Sequence, residues 1–597
     1  MSERPASMLN QIVLRDSIKG EWLVFKNCVE TLSTRYPSEV VRLLDETERR
    51  VEREGLFAAG YLTYEAASGF DSRYLTKAQK KLPVLCFGLF LDPIRVSSLP
   101  RAKAVMQPNS PVWRMSENQS RYFRKMETIK SQIVAGNTYQ INYTVRQYAE
   151  GVHDALGLFL RIASSAPHAA YVDANDYAIV SASPESFFKL NGHEVSCQPM
   201  KGTAKRGMTF EGDKEYGDWL FHSKKNRAEN VMITDMVRND LGRISEPGSI
   251  DVSNLFTVER HPTVWQMTST VGARTEASIA HIFQALFPSA SVTGAPKVSS
   301  MELINKLEES PREIYTGAIG YLAPGRQAQF NVAIRTVLIN KHTSEAVYGV
   351  GSGVVWDSKP EEEYAECITK AKILDSAPQN EEFSLLETML WRPAEGIFLF
   401  DYHMRRLRES AEYFSFQFNQ KDLERQLESL VQNFDSTDYR IRLVQHKDGR
   451  MGFEYQPVSK FHRADQYRIR LANQPIGIDD PFLYHKTTRR GVYERALQSV
   501  LDCEDVLLWN SSGFVTETSI ANVVMKIHGK WLTPPIGCGL LAGTYRQWLL
   551  DRGKIKEGKV HLNDLSSVKE FLLINSVRGQ YSGQLCKPTF PILNLLQ

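Results

Sequence analysis

Three stretches of this chain carry more ionisable chemistry than a folded core needs. SPES and PMKGTAKRG supply Glu185 and then Lys201, the lysine standing between Met200 and Gly202. In KKNRAENVMITDMVRNDLGRI, residues 224–244, Glu229 shares a helical stripe with Met232, Ile233 and Met236. A carboxylate on the apolar face of a helix is expensive to bury unless something pairs with it. In EEEYAECITKAKIL, residues 361–374, Glu363, Glu366 and Lys370 share a face by i, i+3, i+7 spacing. Two helices that each offer a carboxylate suit a magnesium ion, which takes few protein oxygens and keeps positions open for water or an anionic substrate. Taken singly, each glutamate reads as a solvated or capping residue.

Glycine-bearing phrases add a second theme. FPSASVTGAPKVSSMELI (287–304) reads as a turn-rich loop entering a helix, and YGVGSGVVWDS (348–358) as a Gly-rich loop after a strand. Backbone N–H groups in such places can hold a carboxylate or phosphate. A plain tight turn explains either phrase equally well. Lys486, in the polar turn YHKTTRRG, means little by itself.

The elements around these residues predict an α+β chain. YAIVSASPESFFKL (177–190) and QFNVAIRTVLI (329–339) read as strands, and SRYFRKMETIKSQIVAG (120–136) as an amphipathic helix with Met126, Ile129 and Ile133 on its stripe and Gly136 as its stop. No regular β–α alternation is present, which points to a substantial antiparallel sheet. One boundary stands out, near ILDSAPQNEEF (373–383), giving domains at 1–376 and 384–597 around a short linker, 377–383. Beyond it YRIRLVQ (439–445) and FLLINSV (571–577) read as strands.

Bulk composition excludes several classes. Lys plus Arg outnumber Asp plus Glu by only 72 to 69 in 597 residues, so no large basic field exists for nucleic acid or an anionic membrane. No uncharged apolar run approaches the roughly 20 residues needed to span a bilayer. The N-terminal MSERPASMLNQIVLRD is charged where a signal peptide needs an apolar core. The seven cysteines are scattered and lack a CxxC pair, which predicts reduced thiols in a cytoplasmic protein.

The phrases GNTYQINYTVR, SPESF, PMKGT, NRAENVMITDMVRNDLGRI, FPSASVTGAPK, IYTGAIGYL, VAIRT, GSGVVWDS and EEYAE occur in this order over roughly residues 100–375. Together they resemble the chorismate-utilising enzymes, whose fold sets antiparallel sheets among flanking helices. The resemblance implies chorismate bound with Mg2+, Glu229 and Glu366 being the metal ligands and Glu363 their support. It makes Glu185 the general acid for the departing C4 hydroxyl, a task that requires a raised pKa. Arg335 and the N–H groups of Gly351 and Gly353 would bind the substrate carboxylates. Tyr315, Gly317, Thr293 and Gly294 would shape the pocket. Members that add water carry a lysine where this chain has Gln140, so ammonia is the expected nucleophile. Lys201 resembles the subgroup that aminates C4, in which the lysine attacks C2 of chorismate before ammonia enters. Two departures stand out: Gln266 replaces a histidine common in relatives, and Asn226 an aspartate.

From residue 383 onward FSLLETMLWRPAEGIFLFDYHMRRLRESAEYF, YHKTTRRGVYERA, FVTETS, LLAGTYRQ and LLINSVRG together resemble the fold-type IV enzymes that use pyridoxal 5'-phosphate (PLP), built of two α/β subdomains. Lys486 then carries PLP covalently and Glu517 faces its pyridine nitrogen. Arg406, Gly543, Thr544 and Thr518 would hold its phosphate. Thr388 matches a threonine implicated in catalysis in the lyase branch, and Asn575 is a substrate-site candidate. The two halves fit as consecutive steps from chorismate through 4-amino-4-deoxychorismate to 4-aminobenzoate, a folate precursor. No GxCxG nucleophile elbow is present, so nitrogen is expected from a separate glutamine amidotransferase subunit or free ammonia. The second resemblance implies a homodimer. The rival readings are an anthranilate-forming domain joined to an amino-acid aminotransferase, and a non-catalytic regulator binding chorismate or tryptophan.

Overall fold

The structure, a computed structural model, describes residues 9–100, 111–163, 166–261, 264–375, 383–458, 467–498 and 503–586. The chain divides into two compact units, Met1–Ala204 with Gly217–Glu381, and Lys205–Tyr216 with Glu382–Gln597. The predicted linker, 377–383, lies outside the described residues except for Phe383.

Two ten-stranded sheets form the first unit. Both segments predicted as long single strands turn out to be two strands each, lying in different sheets. Tyr177–Ser183 pairs with Thr336–Asn340 in the first sheet, and Ser186–Asn191 with Gln327–Val332 in the second, both antiparallel. The chain therefore changes sheet at Pro184–Glu185 and again at Ala333–Arg335. Pro184 has no N–H for a ladder, which ends the first strand, and Arg335 sits at φ +51°, a backbone region that few non-glycine residues adopt. The crossovers are bonded to each other: Val332 N–H donates to the Glu185 carbonyl (3.1 Å), and Ala182 N–H to the Arg335 carbonyl (3.0 Å). Both halves of each segment are buried on both faces, so no polar alternation marked the break.

The phrase predicted as a Gly-rich loop is also a strand, Ala346–Val354, paired along its length with Gln140–Ala149. Gly349, Gly351 and Gly353 alternate along it and line one face. A Cβ at Gly349 would sit 2.2 Å from the Tyr315 ring, so this face is bare because other side chains lie against it.

Helices carry the rest of the site. Gln119–Val134 forms as predicted: Asn118 caps it, accepting from Arg121 N–H (3.0 Å), and Tyr122, Met126 and Ile129 are buried. Lys224–Gly242 buries Asn230, Ile233, Thr234, Val237 and Leu241. Its buried stripe is thus rotated from the predicted one, leaving Glu229, Met232 and Met236 half-buried at its margin. Pro360–Ala371 starts with a proline and places Glu361, Glu362 and Glu363 in its first turn, where the helix dipole favours them. Phe187, Phe188, Phe283, Phe287 and Phe330 cluster beneath the second sheet; each buried ring contributes about 1.5–3 kcal/mol.

The second unit has a four-stranded antiparallel sheet, ordered Gly396–Ile397, Leu385–Arg392, Tyr439–Gln445, Met451–Pro457, and a mixed eight-stranded sheet. Tyr467–Leu471 lies parallel to both Asp505–Trp509 and Gly579–Leu585 in the larger sheet. The predicted strand 439–445 forms as such, while 571–577 ends at Asn575. Within Lys205–Tyr216, Arg206 pairs with the buried Asp213 (2.6 Å) and lies over the Tyr413 ring. The α+β class is as expected. Among the described residues no helix is long and apolar enough to cross a membrane.

Candidate active sites

The first site gathers where the bare glycine face meets the end of the second sheet. Lys201, on the strand Met200–Lys205, directs its ammonium at Gly353; a Cβ there would lie 2.6 Å from Nζ and 3.1 Å from the Gln140 amide nitrogen. Glycine at 353 is therefore a condition for the lysine's position. Gln140 is fully buried, and neither atom of its amide has a partner among the described residues. Two unsatisfied amide atoms at that depth cost roughly 1–3 kcal/mol each unless a bound molecule meets them.

Glu185 stands at the first sheet crossover and is buried. Ser291 donates to its Oε1 at 2.6 Å. Burial pushes the carboxyl up to about 7, with Ser291, Lys201 and Lys370 pulling the other way. A carboxyl with that pKa is half protonated near neutrality, as a general acid requires. If Glu185 is the acid in an amination of chorismate, the rate should decline as pH rises through about 7, where the acid form is lost. Glu185→Gln should lower the rate by roughly 10²–10⁴-fold and remove that limb; a pH–rate profile with chorismate checks both.

Arg335 occupies the second crossover, where burial lowers its guanidinium from the ordinary value and Tyr348 opposes. An anion brought to it would relieve that cost. The Tyr315 ring is buried beneath the Arg146 guanidinium, 5.4 Å away. Thr293 and Gly294 support the strand that bears Gln140. The Thr293 carbonyl accepts from Asn142 N–H (2.7 Å), and Gly294 pairs with Ile141.

Glu366 lies half-exposed with its Oε1 2.7 Å from Lys370 Nζ, and Lys370 also donates to the Gly351 carbonyl at 2.9 Å. Burial would raise this carboxyl, but Lys370, Lys201 and Lys225 hold it below its ordinary value. Glu366 thus stays ionised at neutral pH. Among the described residues no three acidic, His or Cys side chains converge as a metal cage. Carboxylate oxygens such as those of Glu229, Glu363 and Glu366 are the donor type magnesium takes, and it needs few of them because it keeps several waters.

The two departures have structural duties. Gln266 is buried, donates to the Gly202 carbonyl (2.7 Å) and accepts from the Thr203 hydroxyl (3.1 Å), clamping the strand just after Lys201. Asn226 donates to Ser223 Oγ (2.8 Å) at the start of its own helix.

In the second unit, Lys486 is tied to the strand Leu385–Arg392 by Leu386 N–H, which donates to its carbonyl at 2.9 Å. Burial, with Arg406 and Arg490 nearby, pushes its ammonium down to about 8 against the pull of Glu387 and Glu517. Glu517 is buried and accepts from Leu541 N–H (2.9 Å), Tyr493 OH (2.8 Å) and Asn522 Nδ2 (3.0 Å); burial pushes it up to about 7. These features fit PLP: a lysine poised to lose its proton, and a carboxyl held to share one.

Gly543 caps the helix Thr544–Asp551, and a Cβ on it would strike Asn522 Oδ1 at 1.9 Å. The Thr518 hydroxyl serves its own turn, donating to the Ala521 carbonyl (3.1 Å). Asn575 Oδ1 accepts from Val577 and Arg578 N–H, and the Thr388 carbonyl accepts from Ser576 Oγ. Sequence reading missed Ser291, Tyr493, Asn522, Arg490, Glu387 and His403. Ser291 lay inside a quoted phrase, FPSASVTGAPK, whereas Tyr493 and Asn522 reach Glu517 only through the fold.

Residues 10–376 match the family model for chorismate binding enzymes, and residues 384–583 that for class IV amino-transferases. The chain is 36% identical over 318 residues to the chloroplastic aminodeoxychorismate synthase of Arabidopsis thaliana, covering 52% of this chain and 34% of that protein. It is 37% identical over 262 residues to aminodeoxychorismate synthase component 1 of Salmonella typhimurium, covering 43% and 57%. The chain thus spans less than two thirds of either relative. Anthranilate synthase component I from Streptococcus pneumoniae superposes with a TM-score of 0.51 at 24% identity, over 63% of this chain and 93% of that one, and shares the fold. With the first match running over more than half its length, the chain belongs to the chorismate binding enzymes, with a class IV amino-transferase domain following in the same polypeptide.

Proposed function

We propose that this chain converts chorismate to 4-aminobenzoate in two steps, amination at C4 and then elimination of pyruvate. The observation that carries the reading is Lys201 Nζ directed at Gly353 beside the unpartnered amide of Gln140. Lys201 forms a bond to C2 of chorismate while the C4–O bond breaks and Glu185 gives its proton to the departing hydroxyl. Ammonia then bonds to C4, the ring double bonds shift back, and Lys201 leaves C2. Gln140 has no basic atom with which to activate water, which favours ammonia. Arg335 and the Gly351 and Gly353 N–H groups hold the carboxylates. Magnesium on Glu229 and Glu366, with Glu363 in support, would neutralise carboxylate charge there.

In the second step PLP supplies the electron sink for the C–H bond broken at C4. Lys486 would hold the cofactor and, once free of it, would take the C4 proton. Glu517 would hold the pyridine nitrogen, while Arg406 and Thr544, with Gly543 and Thr518, would hold the phosphate. Thr388 and Asn575 border the substrate. Loss of pyruvate makes the ring aromatic and needs no keto-acid acceptor. Fold alone does not separate lyase from aminotransferase; the match of one domain's product to the other's substrate does. The Salmonella relative's name, component 1, supports a separate glutamine amidotransferase subunit as ammonia source. A cytoplasmic homodimer, joined through the second unit, completes the proposal.

Full-length protein given chorismate, ammonium, magnesium and PLP should release 4-aminobenzoate and pyruvate. Anthranilate as the product would install the first rival, and unchanged chorismate the second. Magnesium dependence tests the metal ligands separately. Glu229→Gln and Glu366→Gln should each weaken magnesium activation roughly 10- to 100-fold, and the double variant should be little worse, because groups acting as a unit are not additive. Losses that multiply would show that the two glutamates do not share an ion.

A further inference from the structure

Glu387 takes no part in the chemistry above, yet its carboxylate sits at the centre of the second site's wall. It is 1% exposed on the strand Leu385–Arg392. Its Oε1 accepts from Arg406 Nε at 2.8 Å, and its Oε2 from Arg406 Nη2 at 2.6 Å. Such a two-pronged contact fixes the plane of a guanidinium as well as its place. The third nitrogen, Nη1, donates to the Ala542 carbonyl at 3.2 Å. Glu387 Oε2 also accepts from His403 Nδ1 at 2.7 Å, and the far nitrogen of that ring, Nε2, faces the Thr544 hydroxyl at 3.5 Å.

One carboxylate therefore reaches two of the residues assigned to the cofactor phosphate, Arg406 directly and Thr544 through His403. The three come from separate elements, the helices Phe400–Phe414 and Thr544–Asp551 and the strand itself. A buried charge is costly unless fully paired, and here every contact of the carboxylate leads toward the same pocket. Arg406 and His403 hold the Glu387 carboxyl down to about 2 although burial opposes them, so the anchor stays ionised throughout the working pH range.

We propose that Glu387 is a positioning residue for the phosphate-binding wall: its carboxylate orients Arg406 and, through His403, Thr544, and so sets affinity for a phosphate ester it never touches. This rests on the assignment of the second unit as a PLP site. Removing the anchor leaves the cation in place but lets it rotate, and preorganised contacts lose most of their worth when their support is loosened.

The test compares two aldehydes that differ only in the phosphate, PLP and pyridoxal, bound to full-length apoprotein. Absorbance titration should give the wild type a strong preference for PLP. Glu387→Gln should weaken PLP roughly 10- to 100-fold and leave pyridoxal within about twofold, narrowing the preference. His403→Gln, which cuts only the arm to Thr544, should narrow it by a smaller factor and serves if Glu387→Gln does not fold. Equal losses for both aldehydes would mean Glu387 is only a staple between strand and helix, and an unchanged preference would mean it orients nothing; either overturns the proposal. A wild type that does not prefer PLP over pyridoxal would overturn the cofactor assignment itself, and the proposal with it.

Discussion

Lys486→Ala should abolish the visible absorbance of the PLP-loaded protein and lower pyruvate release from supplied 4-amino-4-deoxychorismate by roughly 10⁴-fold, while chorismate consumption should continue. The expected size follows from the two duties proposed for one amine, the bond to the cofactor and the removal of the C4 proton. Only a neutral amine can do either. With the pKa pushed down to about 8, about one molecule in ten is neutral at pH 7, against fewer than about one in a thousand at the ordinary value. Burial and the charges of Arg406 and Arg490 lower the pKa, so the rate of cofactor attachment should fall as pH drops below about 8. Spectra before and after borohydride reduction, with pyruvate assayed in parallel, check the result. A variant that still forms a borohydride-reducible bond would remove Lys486 from the role.

Lys201→Ala should have a comparable effect on the other half of the chain. Amination at C4 should fall by roughly 10²–10⁴-fold, while supplied 4-amino-4-deoxychorismate is converted at the normal rate. Anthranilate is the diagnostic by-product, since an unoccupied C2 is open to ammonia. Gly353→Ala separates position from charge: its methyl group would stand 2.6 Å from the Lys201 nitrogen, so the lysine must move although its charge remains. A covalent lysine predicts that both variants fail. If Gly353→Ala aminates normally, or Lys201→Ala does, the nucleophile lies elsewhere and the anthranilate reading returns.

How far these sites were legible in the sequence depended on the kind of contact. Gln119–Val134 and Tyr439–Gln445 followed their periodicity because one face of each meets a core. The crossovers at Glu185 and Arg335 did not, since strands buried on both sides carry no alternation to interrupt. Glycines 349, 351 and 353 looked like a loop because bare residues are turn residues by default; only the structure shows Tyr315 and Lys201 against them. Lys201, Glu185 and Lys486 were singled out through the phrases that surround them. Glu387 was not: it sits beside the singled-out Thr388, and its value comes from two partners 16 and 19 positions further along.

The paired crossovers have a consequence for how such a pocket can change. The Glu185 carbonyl is held by Val332 N–H and the Arg335 carbonyl by Ala182 N–H, so backbone bonds across the seam between two sheets fix the spacing of the proposed proton donor and the proposed carboxylate anchor. On the proposed reading that spacing would serve as a ruler against the substrate ring, set by main chain and not by any one side chain. A shift of attack from one ring carbon to another must then come from residues that stand along the ruler, such as Lys201 and Gln140. New regiochemistry in this architecture is a matter of changing the occupants and leaving the scale alone.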